Sequence, residues 1–195
     1  MKLGDTARCA NTMAPLSRQA LIDHLTSHAL RTDGPFTLRS GAVSDWYLDA
    51  RQTTFDGDGA WRVGEAVLEV LDPTVGAVGG LTMGADPIAV ATAMVSSFRG
   101  RPMRAFSIRK SAKDHGTGGR LVGPVKAGDR VAILEDTTTS GAAALEAAQH
   151  AREMGLELVQ TIALMDRSDG SAQERLESLG VPFIALLRPS DLGVI

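Results

Sequence analysis

Apolar residues recur at helical spacing in the first third of the chain. The apolar face consists of Leu16, Leu21, Ile22, Leu25 and Leu30. This spacing predicts an amphipathic helix over residues 15–31, and a second helical pattern predicts a helix over 57–72. Between them, residues 36–41 and 46–49 predict two short strands around a turn. Residues 1–14 show no periodicity, so we expect a flexible arm there.

Strand and helix patterns alternate after Pro73. The predicted strands cover 75–79, 103–108, 130–134, 158–165 and 183–187. The predicted helices cover 86–98, 140–154 and 171–179. Because regular alternation favours crossover connections, the pattern predicts an α/β fold with a mainly parallel central sheet flanked by helices. No linker interrupts the pattern, which indicates a single domain over 15–195.

Composition and charge exclude several classes of protein. The 195 residues carry a net charge of −3, which argues against general electrostatic binding of nucleic acid or an anionic membrane. The single cysteine, Cys9, excludes an intramolecular disulfide and fits a reducing compartment. No apolar run approaches the roughly 20 residues that span a membrane. We therefore expect a cytoplasmic protein with neither nucleic acid nor membrane as a partner.

The segment 131–143 is the richest in chemical signals. An apolar strand is followed by Glu135 and Asp136, then by Thr137–Ser140 and Gly141, and then by a helix. Strand ends in parallel sheets bind ligands, and hydroxyls and N–H groups at a helix N-terminus suit a phosphate. The segment therefore predicts a phosphorylated-sugar site, with sugar hydroxyls on the acidic pair and the phosphate on 137–141. The alternative is a helix cap made by Asp136, Thr139 and Ser140 without a ligand.

A long basic loop over residues 109–124 fits neither the strand nor the helix pattern. Its cations are Arg109, Lys110, Lys113 and Arg120, with His115 nearby and Asp114 as the acid between them. Glycines follow at 116, 118 and 119, and a loop this long inside a compact domain is usually functional or mobile. The alternative is an ordinary solvated surface loop.

Four separated motifs resemble one known family. The segment 131–143 resembles the phosphoribosyl pyrophosphate (PRPP) signature of type I phosphoribosyltransferases. Residues 109–116, R-K-S-A-K-D-H-G, are similar to the R-K-x-x-K-x-H-G loop of orotate phosphoribosyltransferases. Residues 36–41, continued by Ser44, Tyr47 and Asp49, resemble the family's N-terminal F-x-L-[KR]-S-G segment. Asp166-Arg167 resembles the strand-end pair that meets the carboxylate of orotate.

The resemblance implies a fold, a reaction and an assembly. The fold is that of type I phosphoribosyltransferases, with a small N-terminal hood formed mainly by 15–55 and a long flexible catalytic loop. The reaction transfers the 5-phosphoribosyl group from PRPP to orotate, giving orotidine 5′-monophosphate and pyrophosphate. It needs Mg²⁺, which substrate oxygens and water hold more than a protein cage does. The resemblance also implies that the basic loop is a glycine-hinged lid that closes over pyrophosphate. It further implies a homodimer whose catalytic loop is shared across subunits.

The resemblance further assigns roles to individual residues. The catalytic residues are Arg109, Lys113, Asp114 and His115. The PRPP-binding residues are Arg109, Lys110, Lys113, His115, Glu135, Asp136, Thr137, Thr138, Thr139, Ser140, Gly141, Ala142 and Ala143, with Lys110 acting across the dimer. The pyrophosphate loop is Leu81, Thr82, Met83 and Gly84, although 80–87 lack the lysine that many members carry. The orotate-binding residues are Arg39, Tyr47, Thr139 and Arg167.

Two other functions stay open on the sequence. One is a phosphoribosyltransferase of the same fold that acts on another base, such as a purine. The other is a regulator that binds PRPP without turnover. Among the remaining polar residues, His24 and His28 are four apart on the first predicted helix, and we expect them at the surface.

Overall fold

A computed structural model describes residues 18–37, 41, 43–111 and 119–194. Several sequence predictions therefore lie outside the described residues. They concern the arm over 1–14, Arg39, and the loop residues Lys113, Asp114 and His115.

A small hood precedes the central sheet. Its helices are α1 (Arg18–His28) and α2 (Arg51–Thr54), and its strands are β1 (Leu30–Arg31), β2 (Phe36–Thr37), β3 (Val43–Ser44) and β4 (Tyr47–Leu48). Strand β1 pairs antiparallel with β4, and β2 pairs antiparallel with β3. The predicted helix over 15–31 was thus too long, because Leu30 belongs to a strand. The predicted pair of strands was also wrong in its pairing, because each finds a different partner.

His24 connects the hood to the rest of the molecule and is not a surface residue as expected. Its side chain is buried, with Nδ1 3.2 Å from Thr53 Oγ1 and Nε2 3.1 Å from Asp56 Oδ1. Asp56 caps the helix that begins at Gly57, so the contact joins α1 to the N-terminus of that helix.

Six strands form the central sheet. They are β5 (Ala77–Leu81), β6 (Arg104–Ile108), β7 (Leu121–Val122), β8 (Arg130–Thr138), β9 (Glu157–Asp166) and β10 (Phe183–Leu187). The order is β10-β9-β8-β5-β6-β7, and only the β6–β7 pair is antiparallel. This confirms the mainly parallel sheet. Strand β7 lies inside the loop predicted over 109–124, which is therefore not structureless throughout.

Helices cover both faces of the sheet. They are α3 (Gly57–Val70), α4 (Ala85–Phe98), α5 (Ala142–Glu153) and α6 (Ser171–Glu177), and a 3₁₀ helix follows at Pro189–Leu192. Ala132 and Leu134 of β8 share one core with α1, α3 and α4. Val131 and Ile133 share the other with α5 and α6, as the alternation of side chains along a strand requires. In the described part of the chain, no helix is long and apolar enough to span a membrane.

Strand β8 is longer than its apolar residues predict. It continues past Leu134 to Thr138, because Thr137 and Thr138 pair with Met165 and Asp166 of β9. Threonine is β-branched and fits an extended ladder. The acidic pair therefore lies near the end of a paired strand rather than in a free loop.

Candidate active site

One cavity of about 460 Å³ lies at the carboxyl ends of β5 and β8 and just past the end of β9. Predicted site residues that line it are Tyr47, Leu81, Thr82, Met83, Gly84, Lys110, Glu135, Asp136, Thr137, Ala143 and Arg167. Other predicted residues among those described do not line it, namely Arg109, Thr138, Thr139, Ser140, Gly141 and Ala142. The structure thus brings residues of all four separated motifs together in one cavity, where such sheets bind ligands.

The acidic pair is largely buried, and burial disfavours its ionised form. Burial, followed by repulsion from Asp136, raises the pKa of Glu135 to about 8. Burial also raises the pKa of Asp136. Glu135 Oε2 is buried without a hydrogen-bond partner among the described residues. A buried oxygen of this kind normally has a partner, so the cavity presents an acceptor for a donor such as a sugar hydroxyl.

The raised pKa of Glu135 makes the stability of the protein depend on pH. Its ordinary pKa is 4.5, so between about pH 4.5 and 8 the folded state holds a proton that the unfolded state has released. The free energy of unfolding therefore falls as the pH rises through that window. Glutamine does not titrate, so Glu135→Gln removes this loss. We expect the melting temperature of Glu135→Gln, relative to that of the wild type, to increase as the pH rises from 5 to 8. Thermal unfolding of both proteins across that range measures the difference.

Glu69 offers the matched control for this experiment. It lies exposed on α3, so Glu69→Gln should leave the pH dependence of melting as in the wild type. If the melting temperatures of Glu135→Gln and the wild type change with pH by the same amount, that result would contradict the buried, protonated state of Glu135.

The N-terminus of α5 carries no side-chain cap. The residue at the cap position is Gly141, with φ +71°, which has no side chain to accept from the first N–H groups of the helix. Asp136 Oδ1 instead accepts from the N–H of Thr137 at 2.7 Å, and Thr138 Oγ1 accepts from the N–H of Gly141 at 2.9 Å. The alternative of a helix cap built by Asp136, Thr139 and Ser140 is therefore wrong. The first N–H groups of α5 are left for another acceptor.

The loop after β5 packs closely against the acidic pair. Thr82 Oγ1 donates to Asp86 Oδ2 at 2.7 Å, and the N–H of Thr82 donates to the carbonyl of Ile108 at 2.8 Å. A Cβ atom at Gly84 would lie 2.6 Å from Asp136 Oδ1. Only glycine allows this approach. The predicted pyrophosphate loop and the predicted sugar site thus share a boundary.

Arg167 follows directly after β9 at the opposite wall of the cavity. Its backbone N–H donates to the carbonyl of Thr138 at 2.8 Å, which anchors it beside β8. Its guanidinium carbon lies 4.1 Å from the centre of the Trp46 ring. Burial lowers the pKa of Arg167. This side chain is therefore stacked and partly desolvated at the cavity.

Arg120 closes the base of the basic loop. The backbone N–H of Arg109 donates to the carbonyl of Arg120 at 2.8 Å, and Arg120 Nε donates back to the carbonyl of Arg109 at 2.5 Å. Arg120 also forms an ion pair with Glu146 on α5. Its place among the lid cations was therefore wrong, because its side chain is engaged at the loop's base. Lys110, by contrast, lines the cavity of its own chain.

Four cavity residues had no site role in the sequence analysis. They are Leu48, Asp49, Ala50 and Arg51, which run from the end of β4 to the first residue of α2. Arg51 Nε lies 2.7 Å from Asp49 Oδ1. Burial favours a higher pKa for Asp49, but hydrogen bonds from Arg51 and Gln52 outweigh it and lower that pKa. Asp49 had a signal in the motif that continues after Gly41, whereas Arg51 had none.

Comparison with known proteins finds relatives that are orotate phosphoribosyltransferases. It is 40% identical over 183 residues to the orotate phosphoribosyltransferase of Aquifex aeolicus, covering 92% of this chain and 100% of the relative. It is 40% identical over 178 residues to that of Streptomyces avermitilis, covering 91% and 97%. A search of family models gives no match.

Solved structures agree with these relatives. The orotate phosphoribosyltransferase of Mycobacterium tuberculosis, in complex with Fe(III) dicitrate, superposes with a TM-score of 0.80 at 35% identity, over 90% of this chain and 98% of the other. The same enzyme in complex with PRPP gives 0.75 at 31% identity, with the same coverage. An adenine phosphoribosyltransferase from Leishmania tarentolae, at 15% identity and a TM-score of 0.60, shares the fold. The fold is that of type I phosphoribosyltransferases, and the chain belongs to the orotate phosphoribosyltransferase family.

Proposed function

We infer that this chain catalyses transfer of the 5-phosphoribosyl group from PRPP to orotate, giving orotidine 5′-monophosphate and pyrophosphate in pyrimidine synthesis. The observation that carries this inference is the single cavity lined by the acidic pair, the pyrophosphate loop and Arg167. Relatives of this name match the chain over nine-tenths of its length.

The cavity divides the substrates by their chemistry. The acidic pair accepts hydrogen bonds from ribose hydroxyls, and the uncapped N-terminus of α5 receives the 5-phosphate. The planar guanidinium of Arg167 suits the carboxylate of orotate, with Tyr47 beside it in the cavity wall. Displacement at the anomeric carbon develops cationic character on the sugar, which Asp136 and Glu135 stabilise in their ionised forms. Thr139 and Arg39 remain proposed orotate contacts.

The leaving pyrophosphate needs positive charge that the loop over Leu81–Gly84 does not supply. Arg51 and Lys110 line the same cavity, and we assign Arg109, Lys113, Asp114 and His115 to the lid that covers it. A lid that closes over the substrates excludes water and meets charge as it develops.

The donor set fits Mg²⁺ bound mainly through substrate. Within the described residues, no group of three or more His, Cys, Asp or Glu side chains could hold a metal ion. Glu135 and Asp136 are the carboxylates that would face the ion's water shell beside the ribose, and Glu135 Oε2 has no hydrogen-bond partner within the described ranges. Mg²⁺ bound to PRPP would neutralise charge on the leaving group.

An apolar face formed by α3, α4 and the residues just before each of them supports the proposed homodimer. Its exposed members are Phe55, Met83, Val90, Met94 and Phe98, joined by Trp61, whose ring contacts Phe98 edge to face. Large apolar patches of this kind mark interfaces. The face is continuous with the active site, because Met83 belongs to both. A second copy seated here would lie within reach of the cavity, as a shared lid requires.

Met94→Asp tests this interface. The side chain is 64% exposed, so the single chain should tolerate the change, whereas a dimer would have to bury the new charge. We expect sedimentation velocity to show mainly monomer. Met154→Asp is the matched control, because Met154 is 45% exposed beyond the end of α5 and away from this face. A Met94→Asp protein that sediments as the wild-type dimer would refute this placement.

The reaction itself is tested by following orotate absorbance with purified protein, PRPP and Mg²⁺, each omitted in turn. We expect loss of orotate to require all three. Faster turnover of adenine or guanine would identify a purine enzyme, and PRPP binding without pyrophosphate release would identify a regulator. A cytoplasmic location, with neither nucleic acid nor membrane as a partner, completes the proposal.

A further inference from the structure

We propose that Trp46 is a positioning residue that holds the Arg167 guanidinium in place for the substrate's carboxylate. The inference rests on the proposed function, because it assumes that Arg167 meets orotate. Trp46 lies outside the set of residues that line the cavity, whereas Arg167 lies within it. The proposed action of Trp46 is therefore through Arg167.

The Trp46 ring forms a fixed platform behind the arginine. The ring packs against the core shared by the hood and the sheet. Its backbone is held on both sides, because Ser44 Oγ donates to the Trp46 carbonyl at 2.8 Å and accepts from the Trp46 N–H at 3.4 Å. The guanidinium carbon of Arg167 lies 4.1 Å from the ring centre, well within cation–π range.

The contact with Trp46 restricts the conformations of the Arg167 side chain before the substrate binds. Arginine has a long side chain with high rotamer entropy, which must be lost when its fork binds a carboxylate. A side chain ordered before binding loses less on binding, so affinity rises. The platform also lies in the hood, whereas Arg167 follows β9, so the contact ties the hood to the wall that binds the base.

The predicted effect is specific to ligands with a carboxylate. Orotidine 5′-monophosphate carries that carboxylate, and uridine 5′-monophosphate is the same nucleotide without it. We expect Trp46→Leu to weaken binding of the first about two- to thirtyfold, the range of a cation–π contact, and to leave the second unchanged. Trp46→Phe, which keeps a ring, should restore part of the affinity. On an Arg167→Ala background, Trp46→Leu should have no further effect.

A graded test separates the electrostatic contact from mere packing. Trp61→Phe leaves Trp46 as the single tryptophan, because the chain has two, and this protein serves as the reference. Tryptophan with increasing numbers of ring fluorines is then incorporated, which weakens the negative face of the ring at nearly constant shape. We expect the KM for orotate to rise with each fluorine while the KM for PRPP stays constant.

The outcomes distinguish this inference from the function beneath it. Equal weakening of both nucleotides by Trp46→Leu, or an orotate KM insensitive to fluorination, would show that Trp46 only shapes the hood. That result would overturn the positioning role and leave the reaction intact. A wild-type protein that neither consumes orotate nor binds orotidine 5′-monophosphate would overturn the proposed function itself.

Discussion

Lys113→Ala should lower kcat by about one to three powers of ten while the protein stays folded, the scale of losing a contact made in the transition state. The reason is a shortage of positive charge at the leaving group. The loop over Leu81–Gly84 contains no lysine, and the acidic pair adds negative charge when ionised. A lid lysine that reaches the pyrophosphate therefore has few substitutes. Steady-state kinetics with orotate and PRPP measure the loss.

Lys126 supplies the matched control for this change. It is exposed after β7, and its backbone N–H, not its side chain, donates to Asp129. Lys126→Ala should therefore keep wild-type kcat and melting temperature. A Lys113→Ala protein with near-normal kcat would remove Lys113 from the catalytic assignment, and a lowered melting temperature would indicate a structural role. His115→Ala is expected to behave as Lys113→Ala does.

The same variant tests whether the lid works across subunits. Lys113→Ala and Asp136→Asn chains, each of strongly reduced activity alone, are mixed and allowed to exchange. If the lid serves the partner, each hybrid dimer has one intact site, so random pairing restores about a quarter of the sites in a symmetric dimer. If the lid serves its own chain, every site carries one lesion. No recovery after verified exchange would therefore contradict sharing.

The sheet could be predicted from the sequence because its signals are local. Short apolar strands alternate with helical patterns, and each strand of the sheet except β7 was found within a few residues of its position. The end of β8 was missed because Thr137 and Thr138 extend the strand through pairing with β9. That pairing is a tertiary contact which hydrophobic periodicity cannot show.

The hood shows the opposite case. Its strands are two residues long, too short for any periodicity, and their pairing depends on turns and on contacts far along the chain. His24 was expected at the surface, yet Thr53 and Asp56 satisfy both ring nitrogens and allow its burial. A polar side chain is expected at the surface unless its partners are known.

The candidate site contains both predictable and unpredictable residues. Glu135, Asp136 and the loop after β5 lie at strand ends, so topology alone brings them together. Arg51 enters the cavity from α2 in the hood, and Trp46 stands behind Arg167. Neither follows from spacing, because the hood's position over the sheet is set by packing of α1, β4 and the core.

Gly84→Ala should lower kcat/KM for PRPP about a hundredfold, because an ångström-scale displacement at a reacting centre costs that much. The added Cβ would lie 2.6 Å from Asp136 Oδ1 and 2.8 Å from Asp136 Oδ2. The backbone at Gly84 is right-handed helical, with φ −60°, so alanine suffers no backbone strain there. The obstacle is a side-chain carboxylate that can rotate away, so the fold should persist while the ribose contact is lost.

Two other glycines show that this loss belongs to the site. Gly57→Ala has open space around its Cβ and should keep both activity and stability. Gly80→Ala would place its Cβ 2.2 Å from the carbonyl oxygen of Leu134, a backbone atom inside the sheet, so we expect failure to fold. Gly84→Ala should fall between them, with the melting temperature of Gly57→Ala but with the reduced kcat/KM given above. A Gly84→Ala protein with wild-type kcat/KM would contradict this prediction. It would show that the close contact between Gly84 and Asp136 is not needed for the reaction.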